Sequence, residues 1–153
     1  MISTTSYIAQ AKATINAPVD KVWDALVNPD MIKKYMFGAT VNSDWKEGSK
    51  IFWKGEWQGK SYEDKGTLLQ VRPEHRLQYS HYSPLSGLPH TPEHYHTVTI
   101  DLTGNRTATD VTLTQDHNAT EAARMHSEKN WKMMLDGLKK YVESEPGPNG
   151  ATG

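Results

Sequence analysis

Apolar residues recur every three or four positions between Asn16 and Phe37, and again after Asn118; between these stretches they alternate with polar ones. The opening segment YIAQAKATI (7–15) also alternates and predicts a first strand. Asn16 and Pro18 then start a helix, with proline in the first turn where its missing N–H costs nothing. Val19, Val22, Trp23 and Leu26 follow at helical spacing. The triplet NPD (28–30) starts a second short helix, with Met31, Ile32, Tyr35 and Met36 as its apolar face.

From Gly38 to Asn118 the period is two, broken by the turn signals KEGS, WQGK, RPEH, SPLSGLPHTP and TGNRT, which predicts about six strands joined mostly by hairpins. Residues 83–92 are the one long connection, of a length that suggests a lid or rim. Thr120 to Glu143 reads as a single helix of about 24 residues, roughly 36 Å long. Its core stripe is Trp131, Met134, Leu135, Leu138, Tyr141 and Val142. Strands segregated from helices predict an α+β fold, an antiparallel sheet with one face covered by the terminal helix.

Parity assigns the inward rows. They are Ile51, Trp53, Gly55 and Trp57 (with Phe52 outside); Leu77, Tyr79 and His81; His94, His96, Val98, Ile100 and Leu102; and Thr109, Val111, Leu113, Gln115 and His117. A turn centred near Gly104–Asn105 would set Val98 opposite Val111 and His94 opposite Gln115. A symmetric 83–92 loop would set His81 opposite His94 and Tyr79 opposite His96. Opposed side chains on one face have Cβ atoms about 4.5–5.5 Å apart. On this reading the interior is graded. Trp53, Tyr79, Val98, Val111, Leu113, Trp131, Met134 and Leu138 form its deep part; His81, His94, His96, Gln115 and Arg124 form its mouth.

Composition narrows the classes. A chain of 153 residues is sized for one domain, expected over 1–145, and the Pro/Gly-rich end (146–153) reads as a tail. The formal net charge of −1 leaves no electrostatic footprint for nucleic acid. There is no cysteine, hence no disulfide, thiol nucleophile or Cys-type zinc site. No segment approaches the roughly 18 apolar residues of a membrane span, so no membrane insertion is expected and a cytoplasmic location is the default.

The words INAPVDKVWDALVNPDMIKKYM (15–36), EGSKIFW (47–53), GTLLQVRPEHRLQYS (66–80) and HSEKNWKMMLDGL (126–138), in that order, resemble the START-like helix-grip superfamily (SRPBCC, birch-allergen-like). Within it the chain is most similar to the Aha-type family, relatives of activators of the 90-kDa heat-shock chaperone's ATPase. Tyr35 stands where relatives usually carry Trp, and His81 where many carry an aromatic residue. The resemblance implies a curved sheet of about seven strands gripping the long helix, with a cavity between them that often holds a hydrophobic ligand. Many bacterial members are ligand binders; others are cyclases, hydrolases or stress-related proteins. The match is to the C-terminal-type domain of the chaperone activators, which places the co-chaperone reading second.

Three chemistries compete at the mouth. His81, His94 and His96 supply three nitrogen ligands of the kind an open zinc site uses. A single histidine near neutrality would serve as general acid or base, but neither a nucleophile motif nor a paired carboxylate word accompanies it. The third reading, a wet polar rim on an apolar pocket, matches what small-ligand sites look like. The reading adopted is a binder of a small hydrophobic, aromatic or lipid-like molecule, with no metal or cofactor and no covalent chemistry. A heat-shock chaperone is the partner in the second reading, and a cyclase or hydrolase the third.

Overall fold

The computed structural model of the chain describes residues 7–36, 38–57, 59–83, 89, 91, 94–118 and 120–144, with Trp57 described by its backbone alone. The expected tail and most of the 83–92 connection lie outside these residues. The alternation at the start becomes β1 (Tyr7–Ile15), which turns Ala9, Ala11 and Ile15 inward. Two helices follow, α1 (Val19–Val27) and α2 (Pro29–Tyr35). The side-chain oxygen of Asn28 accepts the Asp30 amide at 3.0 Å and so caps α2, beside a proline in its first turn. Pro18 is itself the N-cap of α1, one position outside the helix, and supplies no side-chain hydrogen bond.

Six more strands follow: β2 (Thr40–Ser43), β3 (Lys50–Trp57), β4 (Lys60–Arg72), β5 (Arg76–His81), β6 (His96–Gly104) and β7 (Thr109–Asn118). The last element is α3 (Glu121–Ser144), whose first turn is capped by Thr120 Oγ1 accepting the Ala123 amide. All seven strands join one antiparallel sheet in the order β1-β7-β6-β5-β4-β3-β2. The curved sheet grips α3, which lies closest to β1 and β7. This is the α+β helix-grip architecture. The apolar stripe of α3 buries Met134, Leu135, Leu138 and Val142 in a core with Ile15, Val22, Leu113 and Ile100. Each such side chain contributes roughly 1.5–3 kcal/mol by leaving water.

As an edge strand, β1 would present unpaired backbone groups to other chains. Side chains of α3 meet them instead. Glu128 accepts the Gln10 amide at 3.1 Å, Lys132 donates to the Lys12 carbonyl at 3.2 Å, and Lys139 donates to the Thr14 carbonyl at 2.7 Å. Just past the strand, Glu143 accepts the Asn16 amide at 2.7 Å. The charged face of α3 is therefore a cover for the sheet edge as well as a solvated surface.

The inward rows hold for Ile51, Trp53, Leu77, Tyr79, Val98, Ile100, Leu102, Thr109, Val111, Leu113 and Gln115, whereas His94 lies outside the strands and two registers differ from expectation. Gly104 pairs with Thr109, so the β6–β7 turn is Asn105–Ala108, centred two residues later than the TGNR reading placed it. Asn105 closes it by accepting the Thr107 and Ala108 amides on its side chain. Val98 consequently faces Gln115, and Val111 faces Leu102. Across β5–β6, His81 pairs with His96 and Tyr79 with Val98. Both corrections are even-numbered, which is why every strand keeps its face. His117 is the exception. It adopts a left-handed φ of 58° at a bulge, where Tyr7–Asn118 and Ala9–Gln115 leave one extra residue in β7. His117 turns outward and Asn118 is buried in its place.

Candidate ligand site

The polar residues of the inner face gather where β5 and β7 end, β6 starts and α3 begins its buried stripe. Gln115 is buried and accepts the indole N–H of Trp131 at 2.8 Å. Asn118 donates to the carbonyls of Tyr7 and Gln115 and accepts the Ser127 hydroxyl. These bonds complete the hydrogen-bonding capacity that burial would otherwise leave unmet. Val98 lies between Tyr79 and Gln115 on the same row, and Val111, Leu113, Met134 and Leu138 are buried in the same core.

One row further out, Trp53, Tyr79 and His81 touch. The indole of Trp53 lies 5.1 Å from the Tyr79 ring, tilted, and 5.0 Å from the His81 imidazole, edge-on. His81 Nε2 is 2.8 Å from Asp64 Oδ2, and both side chains are largely buried. Asp64 was absent from the sequence reading. It stands opposite Trp53 across β3–β4, and its charge, second to burial, pushes the Tyr79 phenol above its ordinary range. A glycine makes the contact between strands possible. A Cβ on Gly66 would fall 1.7 Å from the Ser80 carbonyl oxygen, so only glycine lets β4 close on β5 beside His81.

Two atoms of this pair stand out. Asp64 Oδ1 and His81 Nδ1 are buried and, among the described residues, make no hydrogen bond. His96 sits opposite His81 and donates its Nδ1–H to the Asp116 carbonyl at 2.8 Å. Burial pushes its pKa below the usual imidazole range; the Asp116 carbonyl partly offsets this, and His81 adds to the lowering. His96 is therefore the neutral Nδ1–H tautomer near pH 7, with a bare lone pair on Nε2.

Not every expected site residue joins this group. His94 lies before β6 in the connecting segment, with Nδ1 held by the Pro89 carbonyl at 2.8 Å and the Thr91 hydroxyl at 2.9 Å. Arg124 is ion-paired with Glu121 and Glu128, at 2.6 Å each, in a groove between α3 and β1 that holds none of the histidines. The Trp57 side chain lies outside the described residues. Among the described residues, no three His, Asp or Glu side chains converge as a metal site would require.

Among the described residues a void of about 20 Å³ lies between Tyr35, Met36, Trp45, Trp53, Tyr79 and Met134, room for about one water molecule. Small-molecule pockets run to roughly 300–1,000 Å³, so a ring entering this void must displace side chains. Met36 and Met134, unbranched and adaptable, are suited to that. The larger depressions among the described residues are open surface grooves, one of about 570 Å³ beside the outward Phe52.

Known proteins place this geometry. The sequence profile described as "Activator of Hsp90 ATPase homolog 1-like protein" matches residues 16–143. The solution structure of ChR145 from Cytophaga hutchinsonii is 60% identical over 94% of this chain and 97% of that one, with a TM-score of 0.80. The fold is shared, at lower identity, by CalU16 from Micromonospora echinospora (21% identical, 97% and 88% covered, TM-score 0.66). It is likewise shared by the Aha1 dimer from Colwellia psychrerythraea (20%, 89% and 96%, TM-score 0.68). No functionally curated protein matches the chain. No helix among the described residues is long and apolar enough to cross a membrane. With more than three quarters of its length matched in order, the chain belongs to the family of Activator of Hsp90 ATPase homolog 1-like proteins.

Proposed function

We propose that the protein binds a small, largely hydrophobic molecule between the sheet and α3, at the end where Trp53, Tyr79, His81, His96, Gln115 and Trp131 lie, without covalent chemistry. The observation that carries this reading is the pair of buried atoms Asp64 Oδ1 and His81 Nδ1, beside the Trp53 indole, that make no hydrogen bond among the described residues. A buried polar atom without a partner costs about 1–3 kcal/mol. Elsewhere at this end the chain meets that requirement with its own groups; here it leaves the requirement to something else. Aromatic walls next to a few polar atoms are the usual composition of a small-ligand site.

Native mass spectrometry of protein isolated from its own host tests the reading. The expected spectrum contains a small organic molecule that is lost on denaturation. A bare chain, together with tryptophan fluorescence that does not respond to a broad panel of flat hydrophobic compounds, would contradict it.

Membership of a family named for chaperone activation supports a second reading, in which the chain contacts a heat-shock chaperone. Its test is the chaperone's ATP turnover with this chain in excess. No stimulation is expected, and a clear increase would reverse the order of the two readings.

A further inference from the structure

We infer that the Asp64–His81 pair selects the ligand's polar end, and that this end is an uncharged hydroxyl on an apolar ring, of the phenol kind, rather than a carboxylate. The inference rests on the binding reading above and names the chemistry of the molecule bound.

The donors and acceptors at this end are fixed by their neighbours. An ionised Asp64 takes its hydrogen bond at Oδ2 from His81 Nε2–H, which leaves Oδ1 as an acceptor and Nδ1 of a neutral His81 as a second one. His96, directly across the strand pair, has committed its one N–H to the Asp116 carbonyl. Gln115 already accepts from Trp131. The two buried atoms that make no hydrogen bond among the described residues are therefore acceptors, and what binds them must bring a proton donor. If His81 is protonated instead, Nδ1 becomes a donor next to the acceptor Oδ1. A hydroxyl, which donates and accepts, fits both states.

A carboxylate fits poorly in the first state, where it meets two acceptors and the charge of Asp64; in the second state the imidazolium of His81 offsets that charge, and a hydroxyl still has the advantage of a proton to donate to Oδ1. Arg124, the mouth cation expected from the sequence, is held by Glu121 and Glu128 in the groove beside β1. Trp53 and Tyr79 supply the walls for a flat ring, 5.1 Å apart and tilted, so that an aromatic body would lie against them with its hydroxyl toward Asp64.

Three probes of one shape separate the possibilities: naphthalene, 2-naphthol and 2-naphthoate, titrated against the intact protein and read by tryptophan fluorescence. The expected order is 2-naphthol tightest, by about tenfold over naphthalene, the size of one well-formed buried hydrogen bond, with 2-naphthoate weakest. In Asp64→Asn the advantage of 2-naphthol over naphthalene should shrink to about threefold or less. Equal affinities for naphthalene and 2-naphthol in the wild-type chain, or a preference for 2-naphthoate, would overturn this inference and leave the binding reading standing. If none of the three binds, this inference falls, and the binding reading is then decided by the native mass spectrum. The wild-type comparison stands even where the Asn variant does not fold.

Discussion

The two ends of the helix-grip interior are built to different rules. At one end Ile15, Leu113, Leu135 and Leu138 are fully buried, and the buried Thr109 opposite Ile15 spends its hydroxyl on the Ala17 carbonyl. At the other, Asp64, Gln115 and Asn118 lie on strands interrupted by bulges, between Leu68 and Gln70 in β4 and at His117 in β7, with His81 and His96 on the regular pair β5–β6 between them. The apolar end holds the helix to the sheet mainly by packing, with Lys139 and Glu143 bonded to the backbone at the edge. The polar end satisfies most of its groups one by one, through Trp131, Ser127 and Asp116, and leaves two atoms open. On the proposed function, stability and recognition fall to opposite ends of one core.

The largest effect is expected at the apolar end. Leu138→Ala should cost about 2–5 kcal/mol in urea unfolding, the usual range for a fully buried leucine, while the order of probe affinities at the other end stays the same. Loss of that order would mean that the two ends are not separable.

Trp131→Phe should cost less, about 1–3 kcal/mol, because it strands Gln115 Oε1 without a donor. Adding Gln115→Met should recover part of the loss, since removing both partners of a buried hydrogen bond is milder than removing one. A double variant no better than the single one would show that the indole contributes by packing rather than through its N–H.

A smaller effect is a pH dependence from His96. Its pKa is lowered in the folded state, so below about 6.5 the unfolded chain takes up the proton first. The stability is present in full above that value and is lost as pH falls toward the lowered one. Melting temperature should therefore drop between about pH 7.5 and 5.5, with a shallower drop in His96→Gln. Glu121 and Glu143, whose pKa values are lowered from the carboxylate range, titrate below this window. An unchanged slope in the variant would remove His96 as the cause.

The smallest effect should come from Arg124→Gln. Its ion pairs lie on the helix surface, so 2-naphthoate binding should not change. A marked loss of 2-naphthoate binding would return Arg124 to the ligand's side.

The sequence carried the faces of the strands and missed their neighbours. Trp53, Tyr79, Val98, Val111, Leu113 and Gln115 are all inward, because alternation fixes a face and an even shift of register preserves it. Alternation carries no information on how long a turn is, and the Asn105 side chain that closes 105–108 placed Val98 against Gln115. Asp64 was invisible for another reason. In β4 the inward row runs Asp64, Gly66, Leu68, with one apolar residue in three and a bulge directly after it, so no periodic signal marks the row. Counting back by twos from Leu68 would have reached it. Arg124 was misplaced by extending the helix stripe backward from Trp131. That turn of α3 serves the edge of β1 through Glu128 rather than the interior.

The most direct test of the division of labour is to follow side-chain NMR signals of the intact protein while 2-naphthol is titrated in. The account predicts saturable shifts at the imidazole of His81 and the indole of Trp53, with the methyl groups of Leu135, Leu138 and Val142 unmoved. Shifts confined to those methyl groups, or to the outer groove beside Phe52, would contradict it.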